Sequence, residues 1–332
     1  MRALVFRGPW DLAVEDRPEP SPGPADTLLE ILATGICGSD LHGYTGDTGR
    51  RHPGQVMGHE TVARVVVDRT GTHAPGRVVT VNPVLGCGHC AACAAGQAQR
   101  CLQRRVIGVQ PELSAAFAER MVAPTRNVVP LPEGTPPDLG ALVEPLAVGF
   151  HAVQRGGLME GDELLVIGGG PIGQAVALAA RRLGAADVVV AELDAHRRDL
   201  LARLGFAAVH PDGLGSRRPT LVVDAVGSSR TLATALEVSA PGARIVLVGM
   251  AAPTVDLAAY AVSTGERSII GTFSYDDGAF VETAAWVGDH AAALGPLVEA
   301  HVDLDQAPDT FRALARGELT ASKVLVHPQE TT

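Results

Sequence analysis

The sequence predicts an α/β protein with two domains, one rich in short β-strands and one built on a doubly wound parallel sheet. The first 142 residues or so are rich in Pro and Gly and contain short apolar runs. Four continuous apolar runs then alternate with helix-like stretches. A chain of 332 residues is long enough to bury both cores.

The first domain is predicted from β-like runs that are separated by turn residues. These runs are Ala3–Phe6, Thr27–Ala33, Ala63–Asp68 and Arg77–Asn82. The tail, His301–Val326, returns to short strands and one helix (Pro308–Arg316), and we expect it to join the first domain. The predicted domains are therefore 1–145 with 288–332, and 146–287.

The second domain is predicted from strands that are apolar throughout, as in a parallel sheet covered on both faces. The predicted strands are Leu164–Ile167, Val188–Ala191, Leu221–Asp224 and Arg244–Val248. The helices predicted between them are Ile172–Leu183, Ala195–Leu204 and Thr231–Ser239, of which two end at a glycine.

A glycine fingerprint, G-x-G-x-x-G, lies between the first of these strands and its helix. Gly168 allows the tight turn, Gly170 lets a pyrophosphate approach the backbone, and Gly173 permits close packing of helix on strand. Pro171 and Ile172 complete the loop. The context predicts a Rossmann domain that binds a dinucleotide at these five residues.

Other residues bear on which dinucleotide is bound. Glu192 ends the second strand, where a carboxylate accepts hydrogen bonds from a ribose and repels a 2′-phosphate, so NAD is predicted. Arg197 and Arg198 follow on the next helix, and an arginine there would suit NADP. Gly227 and Gly249 follow later strands, where they either border the cofactor or form ordinary turns.

Four of the five cysteines have the spacing C-x2-C-x2-C-x7-C, which is typical of a zinc knuckle. The alternatives are a disulfide pair or buried small hydrophobic side chains. The Gly- and Ala-rich loop favours a closed structural zinc site with four thiolate ligands: Cys87, Cys90, Cys93 and Cys101.

Three more motifs follow one another along the chain: Gly-Ile-Cys-Gly-Ser-Asp-Leu-His around Cys37, Gly-His-Glu around His59, and Val-Glu-Pro around Glu144. Together with the knuckle and the fingerprint, they resemble the zinc-dependent medium-chain alcohol/polyol dehydrogenases. Glu144, where some members have a second cysteine, indicates the sorbitol/threonine dehydrogenase-like branch. The resemblance implies a GroES-like first domain, two zinc ions per chain, and a catalytic zinc held by Cys37 and His59, with Glu60 and Glu144 ligating it or bonding to its water.

The charges of this donor set agree with the resemblance. One thiolate, one neutral imidazole and one carboxylate balance Zn²⁺ and leave a position open for substrate. A second carboxylate would make the site negative, so Glu60 and Glu144 are expected to share or alternate. The resemblance also makes Ser39 and His42 a relay that takes the alcohol proton to solvent, and the alternative for His42 is a loop histidine without a role.

The remaining predictions concern single residues and partners. Lys323, the only lysine, aligns with a basic residue that contacts the cofactor pyrophosphate in relatives, unless chance placed it there. Residues 43–55 are expected to border the substrate pocket, where Arg50, Arg51 and His52 either meet a hydroxyl-rich or acidic group or face solvent. Arg267–Tyr275 reads as an apolar edge strand that pairs two chains in a homodimer or homotetramer, unless a local helix covers it in a monomer.

Composition limits the function and the location. An apolar content of 46% excludes disorder, and a net charge of −10 argues against nucleic-acid binding. No apolar run is long enough for a membrane span or a secretion signal, and a cysteine without a disulfide partner suits the reducing cytoplasm.

The predicted function is NAD-linked oxidation of a secondary alcohol in a polyol, cyclitol or sugar-like substrate. The alternatives are an NADP-linked dehydrogenase of simple alcohols or aldehydes, and a non-catalytic protein that binds zinc and a dinucleotide.

Overall fold

The computed structural model describes residues 1–185 and 187–329, and these form two compact units. The first unit comprises Met1–Glu144 and the chain from Asp276 onward, and the second is Pro145–Tyr275. Each unit has its own sheets and its own core.

The first unit starts with short strands and two short helices. The strands are β1 (Arg2–Gly8), β2 (Asp11–Asp16), β3 (Asp26–Gly35), β4 (Gln55–Val56), β5 (Glu60–Asp68), β6 (Val78–Val81), β7 (Val84–Leu85), β8 (Arg105–Val106), β9 (Arg120–Pro124) and β10 (Val128–Pro130). The helices are α1 (Gly38–Thr45) and α2 (Ala91–Ala94).

The second unit alternates strand and helix, as predicted. Its helices are α3 (Val143–Gly156), α4 (Pro171–Arg182), α5 (Ala195–Arg203), α6 (Ser229–Val238) and α7 (Ala259–Thr264). Its strands are β11 (Glu163–Ile167), β12 (Asp187–Ala191), β13 (Ala207–Val209), β14 (Leu221–Asp224), β15 (Arg244–Leu247) and β16 (Ser268–Gly271).

The chain then returns to the first unit with three helices and two strands within residues 276–329. These are α8 (Asp277–Asp289), α9 (Ala291–Leu294), β17 (Val298–Asp303), α10 (Ala307–Ala315) and β18 (Lys323–His327). β18 pairs with β3 antiparallel and with β17 parallel. The predicted return of the tail to the first domain is thus explained by main-chain pairing, because β18 extends the sheet order β10-β6-β5-β3.

The parallel sheet of the second unit explains where the glycine fingerprint lies. Its strand order, among the described residues, is β13-β12-β11-β14-β15-β16. The order reverses between β11 and β14, and in open parallel sheets ligands bind at the carboxyl ends of the strands beside such a reversal. The strands are buried on both faces, which is why their sequences are apolar throughout; fully buried examples are Val166, Val190, Val223 and Val246.

The boundary between the units differs from the prediction at one end. We expected the second domain to run to residue 287, but α8 belongs to the first unit. The amide of Asp277 donates to the carbonyl of Gly96 at 2.9 Å, and Asn82 Nδ2 donates to Asp277 Oδ1 at 3.2 Å. At the other end of the helix, a Cβ on Gly288 would lie 2.6 Å from Pro132 Cγ. Close packing thus holds α8 on the strand-rich unit. None of the helices in the described residues combines the length and hydropathy of a membrane span.

A buried ion pair connects the beginnings of β11, β14 and β15 in the second unit. It predicts that the stability of the protein falls at low pH. Asp162 accepts hydrogen bonds from Thr220 Oγ1 at 2.7 Å, from the Met159 amide at 2.7 Å, and from Arg244 Nη2 at 2.6 Å to each carboxylate oxygen. Burial raises the pKa of Asp162, but these hydrogen bonds outweigh it and hold the pKa below its ordinary value. The stabilisation is therefore complete above the unfolded-state pKa of about 3.9 and is lost as pH falls through the folded-state pKa.

We expect Asp162→Asn to lower the free energy of unfolding at neutral pH by about 2 kcal/mol. The deficit relative to the unmodified protein should shrink when the pH is lowered below the unfolded-state pKa. Denaturant unfolding at both pH values measures this, and Asp212→Asn, at a side chain that is 92% exposed, is the control. A deficit that does not change with pH would contradict the assignment.

Candidate metal centre and cofactor site

Cys37, His59 and Glu60 come together because two chain segments meet at the end of β3. Cys37 follows this strand directly and precedes α1, and its amide donates to Asp40 Oδ2 at 3.2 Å, so Asp40 caps the start of the helix. His59 and Glu60 stand where β5 begins, beside β3 in the sheet. One ligand atom from each of the three residues lies within 4.8 Å of the other two.

Asp40 orients the imidazole of His59. Its Oδ1 lies 3.5 Å from His59 Nδ1; both atoms are buried, and neither has a hydrogen-bond partner in the described structure. Burial raises the pKa of Asp40, but His59 and Arg51 outweigh it and hold the pKa below its ordinary value. Burial lowers the pKa of His59, yet Asp40 and Cys37 raise it well above 6.5. A cation bound at Nε2 would keep the proton on Nδ1, where it can donate to Asp40, as is usual for metal-bound histidines.

Lys323 forms a buried ion pair with Glu60, a partner that the sequence did not predict. Lys323 Nζ donates to the two carboxylate oxygens of Glu60 at 2.7 and 2.5 Å and to the carbonyl of Ile36 at 3.2 Å. Its side chain is 3% exposed. The ammonium group is thus engaged with a carboxylate of the metal cluster, and its contact with a cofactor pyrophosphate stays a prediction. Gly35 is required beside the pair, because a Cβ there would lie 2.1 Å from Glu60 Oε2.

Glu144 lies near Lys323 but outside the cluster formed by Cys37, His59 and Glu60. Burial lowers the pKa of Lys323, but Glu60, Cys37 and Glu144 raise it above its ordinary value, so the lysine stays charged. Glu144 is buried at the start of α3.

The charges and donor atoms of this centre fit a zinc ion. A Cys37 thiolate and the carboxylates of Glu60 and Glu144 carry three negative charges, and Lys323 carries one positive charge. The net charge of these four groups is equal in size and opposite in sign to that of Zn²⁺. Lys323 therefore offsets the negative charge of the second carboxylate. Thiolate, imidazole and carboxylate are the ligands of catalytic zinc sites.

The predicted relay residues lie on α1. Ser39 is half-buried, and its carbonyl accepts a hydrogen bond from Arg51 Nη2 at 3.4 Å. His42 is 52% exposed, and its Nδ1 lies 3.5 Å from Asp47 Oδ2. Arg51 itself is buried at 3.8 Å from Asp40, so it neither faces solvent nor reaches into a substrate pocket as an unpaired cation.

The four cysteines of the knuckle also converge, with one sulfur from each within 4.8 Å of the others: Cys87, Cys90, Cys93 and Cys101. Cys87 Sγ and Cys93 Sγ are 3.9 Å apart, close to the separation of about 3.8 Å expected for two thiolates on tetrahedral zinc. The backbone amide of His89 lowers the pKa of Cys87 to about 6. A backbone hydrogen bond lowers the pKa of Cys93, but burial and the neighbouring sulfurs raise it to about 11. Cys93 therefore needs a neighbouring cation to ionise beside Cys87, and four convergent sulfurs are a donor set that fits zinc.

The glycine fingerprint has the backbone it needs. Gly168 has φ +95°, and a Cβ on Gly173 would lie 1.8 Å from the carbonyl oxygen of Gly168. Gly170 is the N-cap of α4, with Pro171 and Ile172 in its first turn. The amides at this helix N-terminus, placed where the strand order reverses, form a cradle that fits a pyrophosphate.

Glu192 lies against this loop. Its Oε2 accepts a hydrogen bond from the Gly169 amide at 2.5 Å, and its Oε1 accepts one from the Asp194 amide at 2.8 Å. Arg197 Nη1 is 3.9 Å from Glu192 Oε2 and would lie 3.7 Å from a Cβ on Gly170. Glu192, which is predicted to bind the ribose, is thus hydrogen-bonded to the glycine loop that is predicted to bind the pyrophosphate. Arg197 lies next to both.

Gly227 and Gly249 are explained by packing against each other's backbone. A Cβ on Gly227 would lie 2.1 Å from the carbonyl oxygen of Gly249, and a Cβ on Gly249 would lie 2.1 Å from the carbonyl carbon of Val226. Gly227 also has φ +80°. Their contact with a cofactor stays a prediction.

Two family models match this chain. Residues 23–133 match the alcohol dehydrogenase GroES-like domain, and residues 171–289 match the zinc-binding dehydrogenase domain. The chain belongs to the zinc-dependent medium-chain polyol dehydrogenase family. It is an oxidoreductase of the alcohol/polyol dehydrogenase type, and the predicted fold class, with its GroES-like and Rossmann domains, is confirmed.

Known proteins match this chain, in sequence or in structure, along most of its length. Sorbitol dehydrogenase of Ovis aries is 30% identical over 95% of this chain and 93% of its own. L-galactonate-5-dehydrogenase of Escherichia coli K12 is 30% identical over 75% of this chain and 76% of its own. A solved alcohol dehydrogenase from E. coli CFT073, complexed with NADH, superimposes with a TM-score of 0.89 at 25% identity and covers 99% of both chains. A zinc-binding dehydrogenase from Sinorhizobium meliloti 1021, bound to NADP, gives a TM-score of 0.86 at 27% identity over 98% of this chain and 99% of its own.

Proposed function

We propose that the protein oxidises a secondary alcohol in a polyol, cyclitol or sugar-like substrate, with zinc as its metal and NAD as its hydride acceptor. The observation that carries the proposal is the cluster of half-buried Cys37 with buried His59 and Glu60, balanced by Lys323. A ketone product follows from a secondary alcohol. The similar sorbitol and L-galactonate dehydrogenases support a hydroxyl-rich substrate.

Cys37, His59 and either Glu60 or Glu144 would hold the catalytic zinc, and the four cysteines of the knuckle would hold a second ion. When bound, the catalytic zinc supplies Lewis acidity that makes the substrate hydroxyl easier to deprotonate. Asp40 lies 3.5 Å from His59 Nδ1, where it could accept a hydrogen bond from the ring. Lys323 restrains Glu60 and keeps both oxygens of its carboxylate in place.

Ser39 and His42 carry the proton in this proposal. The Ser39 hydroxyl would accept the alcohol proton as it gives up its own, and exposed His42 would take up the proton that leaves the relay and release it to solvent. Histidine suits this end of the path because its ordinary pKa lies near working pH. Asp47 Oδ2 lies 3.5 Å from His42 Nδ1, on the exposed side of α1.

The test is an assay of the zinc-loaded protein with NAD and a panel of polyols, cyclitols, sugar acids, amino alcohols and simple alcohols. We expect the absorbance of reduced cofactor to rise with hydroxyl-rich secondary alcohols and not with primary alcohols of similar size. Turnover of simple primary alcohols only, or of none of the panel, would reject the proposed substrate class.

NAD rather than NADP is the proposed cofactor because Glu192 would repel a 2′-phosphate. Glu192→Ala removes this charge and frees Arg197, which lies 3.9 Å from it, to pair with a phosphate. We expect the ratio of kcat/KM with NAD to kcat/KM with NADP to fall by a factor that corresponds to about 1–3 kcal/mol. Glu163→Ala, at an exposed position that begins β11, is the control. Equal kcat/KM values for both cofactors in the unmodified enzyme would reject the assignment.

The proposed assembly is a homodimer or homotetramer formed through β16. This strand is the last in its sheet order, so one side of its backbone has no partner strand within the described sheet. Ile269 and Ile270 make the edge apolar. We expect sedimentation to give at least twice the 34.3 kDa mass of one chain, and Ile270→Glu to shift the protein towards monomer. The matched control Val281→Glu, on exposed α8, should not change the mass. A monomer of the unmodified protein would overturn the proposal.

The cytoplasmic location stays a prediction. It agrees with the five cysteines, all of which are free thiols in the structure.

A further inference from the structure

A third group of metal-binding side chains lies outside both zinc sites. Asp138 is on the 3-10 helix Pro137–Leu142, His301 is on β17, and His327 ends β18. One ligand atom from each residue lies within 4.8 Å of the other two. Neither the proposed chemistry nor the knuckle uses these residues.

The pairing of two strands fixes the two histidines. In the parallel pair of β17 and β18, His301 is opposite Leu325 and Asp303 is opposite His327. His301 and His327 are therefore diagonal neighbours on one face of the sheet. Their separation is set by the backbone rather than by flexible side chains, which makes the pair a rigid element for a ligand.

The hydrogen bonds around His327 prepare its Nε2 for a cation. His327 Nδ1 lies 3.1 Å from the carbonyl oxygen of Leu32 and donates to it, because that oxygen can only accept. The neutral ring therefore carries its proton on Nδ1 and has a lone pair on Nε2. A second partner that holds the distal nitrogen is the usual arrangement of metal-bound histidines.

The other two donors converge on the same point. His301 Nδ1 is 3.0 Å from His327 Nε2 and 3.7 Å from Asp138 Oδ2. Two ligands on a tetrahedral zinc ion are about 3.4 Å apart, between these two distances, and the Asp138 and His327 ligand atoms lie within 4.8 Å of each other. The side chains of His301 and Asp138 are 52% and 41% exposed, so an ion can enter from solvent.

We propose that Asp138, His301 and His327 form a third metal site, which binds a divalent first-row transition ion such as Zn²⁺ or Ni²⁺. Two imidazoles and one carboxylate select these ions over Ca²⁺ and Mg²⁺, which prefer oxygen ligands. Three protein ligands leave positions for water, so the ion exchanges more readily than one held by the four-cysteine knuckle. When occupied, the site ties the 3-10 helix before Glu144 to β17 and β18.

The test is a calorimetric titration with Ni²⁺ of zinc-loaded protein that has been freed of loosely bound metal, at a pH about one unit above the ordinary imidazole pKa. We expect one additional Ni²⁺ per chain. Replacing the exposed His301 by glutamine should weaken the binding of this Ni²⁺ ion at least tenfold, and Asp138→Asn should weaken it less. His210→Gln is the matched control: this exposed histidine lies 3.3 Å from Asp212 but is not part of a metal-ligand cluster in the described structure.

Thermal unfolding gives a second measurement, because a ligand that binds only the folded state raises the midpoint. Ni²⁺ should raise the midpoint of the unmodified protein and of His210→Gln, but not that of His301→Gln. Zinc content before and after the titration shows whether Ni²⁺ has replaced zinc. The proposal is overturned if no additional ion binds, or if His301→Gln binds Ni²⁺ as tightly as the unmodified protein does.

Discussion

Replacement of Cys37 by serine is expected to remove one zinc ion per chain and to lower kcat by about 10³-fold. The neutral hydroxyl of serine cannot replace the thiolate, and the Lewis acidity lost with the metal is worth several kcal/mol, of which about 4 kcal/mol corresponds to that factor. The fold should survive, because Cys37 is only half-buried and lies between β3 and α1 rather than within either. Metal analysis and steady-state kinetics on the same preparation measure both effects.

The matched control is Cys93→Ser in the knuckle. This variant should also lose one zinc ion, but it should lower thermal stability more than Cys37→Ser does, because an ion held by all four sulfurs closes the loop from Cys87 to Cys101. If Cys37→Ser keeps the full zinc content and full turnover, Cys37 is not a ligand and the proposed centre is wrong.

Replacement of Lys323 by methionine is expected to have the largest effect on stability. Methionine fills a similar volume, but the carboxylate of Glu60 would then be buried, 1% exposed, without its ion-pair partner. Removing one member of a buried pair costs about 3–5 kcal/mol of unfolding free energy. The loss should be greatest in protein depleted of the catalytic metal, because the ion would otherwise compensate for the charge on Glu60. Denaturant unfolding with and without metal measures it.

Two companion variants separate charge from packing. Lys323→Arg keeps the charge and should retain most of the stability. In the double variant Glu60→Gln/Lys323→Met, neither member of the pair is left as an unpaired charge, so its loss should be smaller than the sum of the two single losses. Additive losses would show that the pair found at 2.5 and 2.7 Å contributes no coupling energy.

Local sequence patterns were sufficient to predict most of the fold. The apolar runs of β11, β12, β14 and β15 need only the rule that parallel strands are buried on both faces, and the glycine fingerprint has meaning because it follows β11 directly. The knuckle was equally accessible, because its four sulfurs come from one loop. In these cases the interacting residues are close in sequence.

The features that the sequence could not predict depend on pairing between distant segments. Lys323 meets Glu60 because β18 pairs with β3 next to β5, a register that no local pattern encodes. The same strand pairing brings His327 beside His301. The identity of Lys323 as the only lysine was a signal that its position is special, but not of which carboxylate it meets.

The second unit begins near a boundary that composition could locate only approximately. The change in composition after residue 142 indicated where the domain with the parallel sheet begins. In the structure, the first unit ends at Glu144. At the exit, α8 has the pattern of any amphipathic helix. Its membership in the first unit depends on the contacts of Asp277 and Gly288 with segments near residues 82 and 132.

In the proposed reaction, hydrogen leaves the carbinol carbon of a secondary alcohol as hydride at a centre built on Cys37, His59 and Glu60. The most direct measurement uses the best substrate of the panel, labelled with deuterium at that carbon, with zinc-loaded protein and NAD. We expect one deuterium in the nicotinamide ring of each reduced cofactor, and no label transfer above background with Cys37→Ser. Reduced cofactor without deuterium, or equal transfer by the Cys37→Ser variant, would contradict it.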